Sequence, residues 1–309
     1  MTDPMLPAPA KLGCLWKANR PALSSDLREK VDGLIRDLDG FEQPVVAFSG
    51  GVDSSVVAGL LTVAKGVSVR LVTAVGPALA SRQKRFAQQV AHYLAASLSW
   101  VDAGEIRDPG YLANGTDRCY YCKSSLYRTI HAIMEAFPGH TILNGTNLDD
   151  LGDHRPGLLA AEQNAVQSPL AAAGLNKAEV RHLASALELP VAELPAAPCL
   201  ASRIQYGVPV TAARLQRIEK AEAALWALGF SDVRVRLLEG EIASVEVPLP
   251  EIDRLRNAEL MKSLRISCDQ WGFSAVEVQS DGLRSGRLNQ LMPVPEVQAG
   301  AGGERGDRA

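Results

Sequence analysis

An α/β architecture, a parallel doubly wound sheet with a smaller C-terminal α+β domain, follows from three features of the 309-residue chain. Short apolar runs alternate with amphipathic segments up to about residue 205. A glycine turn joins the first apolar run directly to a helical pattern. Beyond residue 206 the texture changes to two neighbouring strand-like runs flanked by helices.

The elements read in order as follows. Residues 45–48 are a buried-strand candidate, and 56–63 continue as an apolar helix. Residues 67–75 form a second strand. Residues 83–96 are a helix with Phe86, Val90 and Leu94 on one face. Residues 98–101 are a third strand, 124–137 a helix, and 141–144 a fourth strand ending at Gly145. Strands separated by helices predict parallel pairing with right-handed crossovers. In the second part, a helix over 212–228 stops at Gly229, a plausible cap. Strands over 233–238 and 242–247, a helix over 251–264 and a strand over 275–278 complete a small α+β unit. The predicted organisation is a flexible tail over 1–20, a nucleotide-binding domain over 21–205, a small domain over 206–290 and a disordered tail over 291–309.

Bulk properties narrow the function. Hydrophobic residues make up 47% and charged residues 22%, so a packed core is expected rather than disorder. The net charge of -3 argues against a protein that coats nucleic acid. No apolar run reaches the roughly 18–20 residues of a membrane helix. The N-terminus carries no secretory pattern, so a cytoplasmic location is expected. Five cysteines, an odd and sparse set, predict free, catalytic or metal-bound thiols in a reducing compartment.

The turn Ser49-Gly50-Gly51-Val52-Asp53-Ser54-Ser55 follows a strand and opens a helix. Glycines without Cβ atoms let the backbone curl and aim successive N–H groups inward. The helix N-terminus adds partial positive charge, and Ser49, Ser54 and Ser55 offer hydroxyl donors. The turn lacks both the Walker lysine and the G-x-G-x-x-G fingerprint. It resembles the PP-loop of ATP-pyrophosphatases, whose fold is the adenine nucleotide alpha hydrolase-like type. That resemblance implies cleavage of ATP between its α and β phosphates with adenylation of a substrate. Asp53 would work with Mg²⁺ on the triphosphate. Thr73 and Ala74, at the end of the second strand, mark the expected adenine site, with Gly145 and Thr146 nearby. Asp149, Asp150 and Asp153 form an acidic loop suited to Mg²⁺, and His154 and Arg155 are candidate phosphate contacts.

Cys119 and Cys122 form a C-x-x-C that reads as a redox pair, as metal ligands or as two packed thiols. With no second C-x-x-C, a closed four-cysteine zinc site cannot be built. Cys199 is a third candidate, and three thiolates with one open position suit a cluster with an exchangeable iron. Cys14 and Cys268 read as structural.

The segments CYYCKSSLY (119–127), NGTNLDD (144–150), the Asp153-His154-Arg155 turn, SPLAAAGLNKAEVRHLA (168–184), PAAPCLASRI (195–204) and DGLRSGRLN (281–289) together resemble the LarE family. These are sulfur transferases that build the nickel-pincer nucleotide cofactor of lactate racemase. The resemblance spans about residues 25–290. It implies pyridinium-3,5-biscarboxylic acid mononucleotide as substrate, adenylated by ATP with release of pyrophosphate. Sulfur then displaces AMP to leave a thiocarboxylate, and a second round treats the other carboxylate. Two sulfur sources occur in the family. One is a single sacrificed cysteine, and the other is a 4Fe-4S cluster on three cysteines. Cys119 and Cys122 beside Cys199 favour the cluster here.

The resemblance places Cys199, Asp53, Ser202 and Arg203 in catalysis. Arg203, Arg234 and Arg236 are candidate partners for the substrate's phosphate or second carboxylate. Glu222 and Asp253 are expected near substrate, and Asp150 and Glu246 at a divalent ion. For these arginines and acids a solvated strand or helix face is the plain alternative. The resemblance also implies a homo-oligomer, between a dimer and a hexamer. Competing readings are a tRNA thiolase, an NAD-synthetase-like amidotransferase ligase and a non-catalytic nucleotide-binding module. Aromatic residues at 5% and the net charge of -3 weigh against the RNA reading.

Overall fold

The structure, a computed structural model, describes residues 8–152, 156–195 and 198–284. The chain begins with α1 (Ala8–Asn19) and α2 (Ser25–Gly40). The expectation of a flexible tail over 1–20 is therefore corrected for residues 8–20, and residues 1–7 lie outside the described residues. Leu12 and Trp16, four residues apart on one helical face, are buried in the core beside α2 and α3 (Val52–Lys65). A composition rich in Pro and Ala masks that spacing. In α2, the Ser24 hydroxyl accepts the Leu27 N–H at 3.3 Å, and Leu27, Val31, Leu34 and Leu38 face inward.

Strands β1 (Gln43–Ala47), β2 (Arg70–Ala74), β3 (Ser97–Val101) and β4 (His140–Leu143) form an all-parallel sheet in the order β3-β2-β1-β4. Helix α3 and then α4 (Ser81–Tyr93) make the first two crossovers. The short α5 (Pro109–Leu112) and the long α6 (Arg118–Ile133) lead into β4. Helices α7 (Pro156–Gln163), α8 (Pro169–Ala172) and α9 (Lys177–Ala186) follow. Helices α1 to α4 and α9 cover one face of the sheet, and α6 and α7 cover the other. Burial on both faces explains why the strands read as near-continuous apolar runs. Because β2 and β4 flank β1 on opposite sides, the strand order reverses at β1, and the loops after β1 and β4 lie together.

The second unit contains α10 (Ala212–Ala227), β5 (Arg234–Leu238), β6 (Ile242–Glu246), α11 (Ile252–Leu255), α12 (Ala258–Trp271) and β7 (Ala275–Val278). Strand β5 pairs antiparallel with β6, and β7 adds parallel to β6. The single helix expected over 251–264 is broken, because the Asn257 side chain accepts the Glu259 and Leu260 N–H groups and starts α12 afresh. Leu200, Ala201 and Ile204, ahead of the expected boundary, already belong to the second core, as do Ala78 and Tyr111.

Candidate active site

The site is built at the carboxyl ends of the parallel strands. After β1 the chain turns through Gly50, whose φ is 73°. A Cβ at Gly50 would stand 2.8 Å from the Ala87 main chain. Gly145, after β4, brings its backbone so close that a Cβ would lie 2.6 Å from the Ser54 nitrogen. Only glycine satisfies both approaches. The result is a cradle of main-chain N–H groups at the start of α3 whose shape and polarity fit a phosphate chain.

The serines divide. Ser49 Oγ accepts the Gly51 N–H at 3.2 Å and lies 3.1 Å from Ser54 Oγ, within the turn. Ser55, expected as a phosphate donor, is fully buried and donates its hydroxyl to the Gly51 carbonyl at 2.8 Å. Thr73 is likewise committed, donating to the Phe48 carbonyl at 2.7 Å, so it fastens β2 to β1. Ala74 is half-buried at the end of β2. Thr146 donates its N–H to Asn144 Oδ1 at 3.0 Å, which shapes the loop after β4.

Asp53 faces this loop. Both of its carboxylate oxygens lie 2.6 Å from Lys177 Nζ, and Asn147 Nδ2 donates to Oδ1 at 3.3 Å. Asp150 accepts the Asn147 N–H at 3.1 Å, and Asp149 accepts the Lys177 N–H at 3.0 Å. The acidic loop thus surrounds the start of α9. Asp153, His154 and Arg155 lie outside the described residues. Lys177 escapes a reading of the sequence because it sits 124 positions from Asp53. Its neighbours Asn176 and Glu179 give only a helix-cap signal.

The thiols lie toward the second unit. Cys119 is exposed in the first turn of α6, Cys122 is half-buried one turn later, and Cys199 is half-buried ahead of the turn Leu200–Arg203. Burial pushes the Cys122 thiol up to about 12, and the nearby Cys199 adds to this. No disulfide joins them. Among the described residues no three His, Cys, Asp or Glu side chains are gathered closely enough to hold a metal ion. Cys119 and Cys122 share one turn of α6, and besides burial Cys199 and Cys119 both raise the Cys122 thiol, but as placed the three thiols do not form a gathered ligand set for the expected 4Fe-4S cluster.

The Cys199 loop is held by Arg203, which is buried. Its guanidinium donates to the Pro198 carbonyl, to the Cys199 carbonyl at 3.1 Å, to Ser202 Oγ at 3.1 Å and to Glu222 Oε1 at 3.0 Å. Ser202 Oγ donates to the Cys199 carbonyl at 2.7 Å. Arg203, Ser202 and Glu222 therefore position Cys199, and Arg203 and Glu222 also line the cavity beside it. Leu200 donates its N–H to the Ala78 carbonyl at 2.9 Å, and Gln83 Nε2 donates to the Ser49 carbonyl at 3.2 Å. One stretch, 78–83, touches both the cysteine loop and the glycine turn.

Arg234 and Arg236 are not surface charges. Both are buried on β5, with Arg234 on Asp232 at 2.6 Å and Arg236 bidentate on Glu246 at 2.6 and 3.2 Å. Glu246, expected at a divalent ion, is wholly buried and serves as that counter-ion. Asp253 stands exposed on α11 and does not line the cavity beside Cys199. Glu105, in the turn after β3, was not anticipated. It is buried against Gly76, with no ion pair among the described residues, and burial holds its carboxyl above the usual range. Tyr111 is also buried, and its hydroxyl has no hydrogen-bond partner among the described residues. Arg118, buried near Tyr111, Cys119 and Cys199, donates to Asn114 and, at 2.9 Å, to the Ala201 carbonyl.

No family model matches the chain. It is 30% identical over 274 residues to the pyridinium-3,5-bisthiocarboxylic acid mononucleotide synthase of Lactiplantibacillus plantarum, covering 88% of this chain and 98% of that protein. It is 35% identical over 266 residues to an uncharacterized protein of Synechocystis sp., covering 86% and 99%. An uncharacterized protein of Methanocaldococcus jannaschii is 25% identical over 244 residues, covering 78% and 90%.

Proposed function

Since the chain belongs to the LarE family, that of the pyridinium-3,5-bisthiocarboxylic acid mononucleotide synthase, we propose that it is an ATP-dependent sulfur transferase acting on pyridinium-3,5-biscarboxylic acid mononucleotide. The observation that supports this reading best is the shared stretch 78–83, which ties the phosphate cradle to the Cys199 loop.

The chemistry requires an activated acyl group, because a free carboxylate has no leaving group. The cradle holds the ATP phosphates with its N–H groups, so that a substrate carboxylate attacks the α-phosphorus and pyrophosphate departs. Lys177 moves from Asp53 to the phosphates as they arrive, and Asp53 and Asp150 then face the accompanying Mg²⁺. A sulfide attacking the acyl-adenylate carbonyl expels AMP and leaves the thiocarboxylate. Were the Cys199 thiolate the nucleophile, a thioester would form and its Cβ–Sγ bond would break by β-elimination, leaving dehydroalanine at 199. Cys199 lies at the sulfur end of the site, held by Arg203 and Ser202. To hold a 4Fe-4S cluster, Cys119, Cys122 and Cys199 would have to draw closer together than they stand here; the cluster would then supply an exchangeable sulfide. Arg234 of β5, paired with Asp232, lines the cavity beside this end of the site.

Two measurements test the reading. Pyrophosphate release from ATP should depend on the pyridinium dicarboxylate, should survive Cys199→Ala and should fall at least a hundredfold in Asp53→Asn. Release independent of the pyridinium compound would refute the substrate assignment. Anaerobically prepared protein should carry iron and sulfide that Cys119→Ala removes. Iron-free protein whose Cys199 loses the mass of H₂S on turnover would replace the cluster with the sacrificial route.

A further inference from the structure

A cavity of about 460 Å³ lies between the start of α4 and the flank of α10. Pro198 and Leu200, the neighbours of Cys199, form one end of it. Trp226 of α10 and Phe86 of α4 form its aromatic wall. The Arg82 guanidinium lies over this wall, 3.9 Å from the centre of the Trp226 ring and 5.4 Å from that of Phe86. Arg82 makes no ion pair among the described residues, so the indole face is its main partner. On the same wall, Glu219 of α10 accepts the Ser81 N–H at 2.6 Å.

A guanidinium is a planar, delocalised, weakly hydrated monocation, and so is an N-substituted pyridinium ring. A face that attracts one through its quadrupole attracts the other. The cavity volume is in the range of small-ligand sites, and its apolar wall ends at the cysteine loop. Arg82 thus lies where a flat cation gains most, and Glu219 shows that the Ser81 N–H there donates to a carboxylate.

We propose that Trp226 is the binding face for the substrate's pyridinium ring and that Arg82 is a placeholder which the ring displaces. The proposal rests on the sulfur-transferase reading for the identity of the ligand. When the ring stacks on Trp226, the Arg82 guanidinium swings aside to pair with a carboxylate or the phosphate that the substrate brings. Trp226 is then a specificity-determining residue: a neutral aromatic acid of the same shape gains less from the indole face than a pyridinium does.

The test uses the full-length protein and N-methylnicotinamide, a pyridinium with no carboxylate for Arg82 to pair with, which quenches indole fluorescence on contact. Wild-type protein should show saturable quenching, and Trp226→Leu should abolish it. Arg82→Gln should lower the half-saturation concentration severalfold, because the competitor is gone; loss of a merely structural arginine would raise it. In turnover, Trp226→Leu should raise the KM for the pyridinium dicarboxylate about tenfold and leave the KM for ATP unchanged. Quenching that persists in Trp226→Leu, weaker binding by Arg82→Gln, or a raised KM for ATP alone would overturn the proposal. The last result would make the cavity an adenosine site. Saturable quenching that depends on Trp226, without pyrophosphate release, would uphold the binding face and refute the sulfur-transferase reading. Pyrophosphate release with an unchanged pyridinium KM in Trp226→Leu would do the reverse.

Discussion

Two residues carry much of the site's local chemistry, and one of them is silent in the sequence. Gly50 announces itself, because a glycine pair between a strand and a helix has few other uses. Glu105 does not, since a lone acid after a short strand usually faces water. Only the packing of its turn against Gly76 buries it. Its folded carboxyl titrates above its unfolded value of about 4.3. The stability linked to it is therefore complete in acid and is lost as the pH rises through the folded value. Glu105→Gln should gain on the wild type between pH 5 and pH 8 in thermal melts. A variant equally destabilised at both pH values would show that the carboxylate has a stabilising partner.

At the level of elements, α9 shows how a cap can position a charged side chain against a distant loop. Asn176 accepts the Glu179 N–H and donates its own N–H to the Glu179 carboxylate, both at 2.9 Å. This reciprocal pair fixes the first turn that carries Lys177 to Asp53. Asn176→Ala should cost about 1 kcal/mol of stability. It should also raise the KM for ATP severalfold while sparing that for the pyridinium substrate, as steady-state kinetics would reveal. Equal effects on both would mean that α9 serves only the scaffold. Helix α6 follows the same logic. It begins six residues before the helix expected at 124, so Cys119 and Cys122 share one turn of a rigid element.

Over the whole molecule, the two units are joined by buried polar contacts near the cysteines. Asn114 Nδ2 donates to the Gln205 and Val208 carbonyls at 2.8 and 2.7 Å, and Val210 donates to the Leu112 carbonyl at 2.9 Å. In the second unit, Arg236 also donates to the Arg284 carbonyl at 2.9 Å, tying the end of the described chain to β5. Arg236→Met would leave Glu246 charged and wholly buried, at a cost on the order of 3–5 kcal/mol in chemical denaturation. Arg236→Met with Glu246→Leu should recover most of that loss, since two apolar side chains need no counter-ion. A double variant no more stable than the single one would assign the cost to the Arg284 contact instead. The alternation of apolar runs and helices determined the parallel sheet, because burial on both faces imprints its period on neighbouring residues. The glycine turn and the three cysteines were legible for the same reason, as local patterns with local causes. Helix α1 was readable in the spacing of Leu12 and Trp16 but hidden by a tail-like composition. The pairings Asp53–Lys177, Arg203–Glu222 and Arg236–Glu246 belong to the tertiary structure alone. Which charge is buried, and beside what, depends on chain segments 10 to 124 positions apart meeting in space, and no periodicity records that meeting.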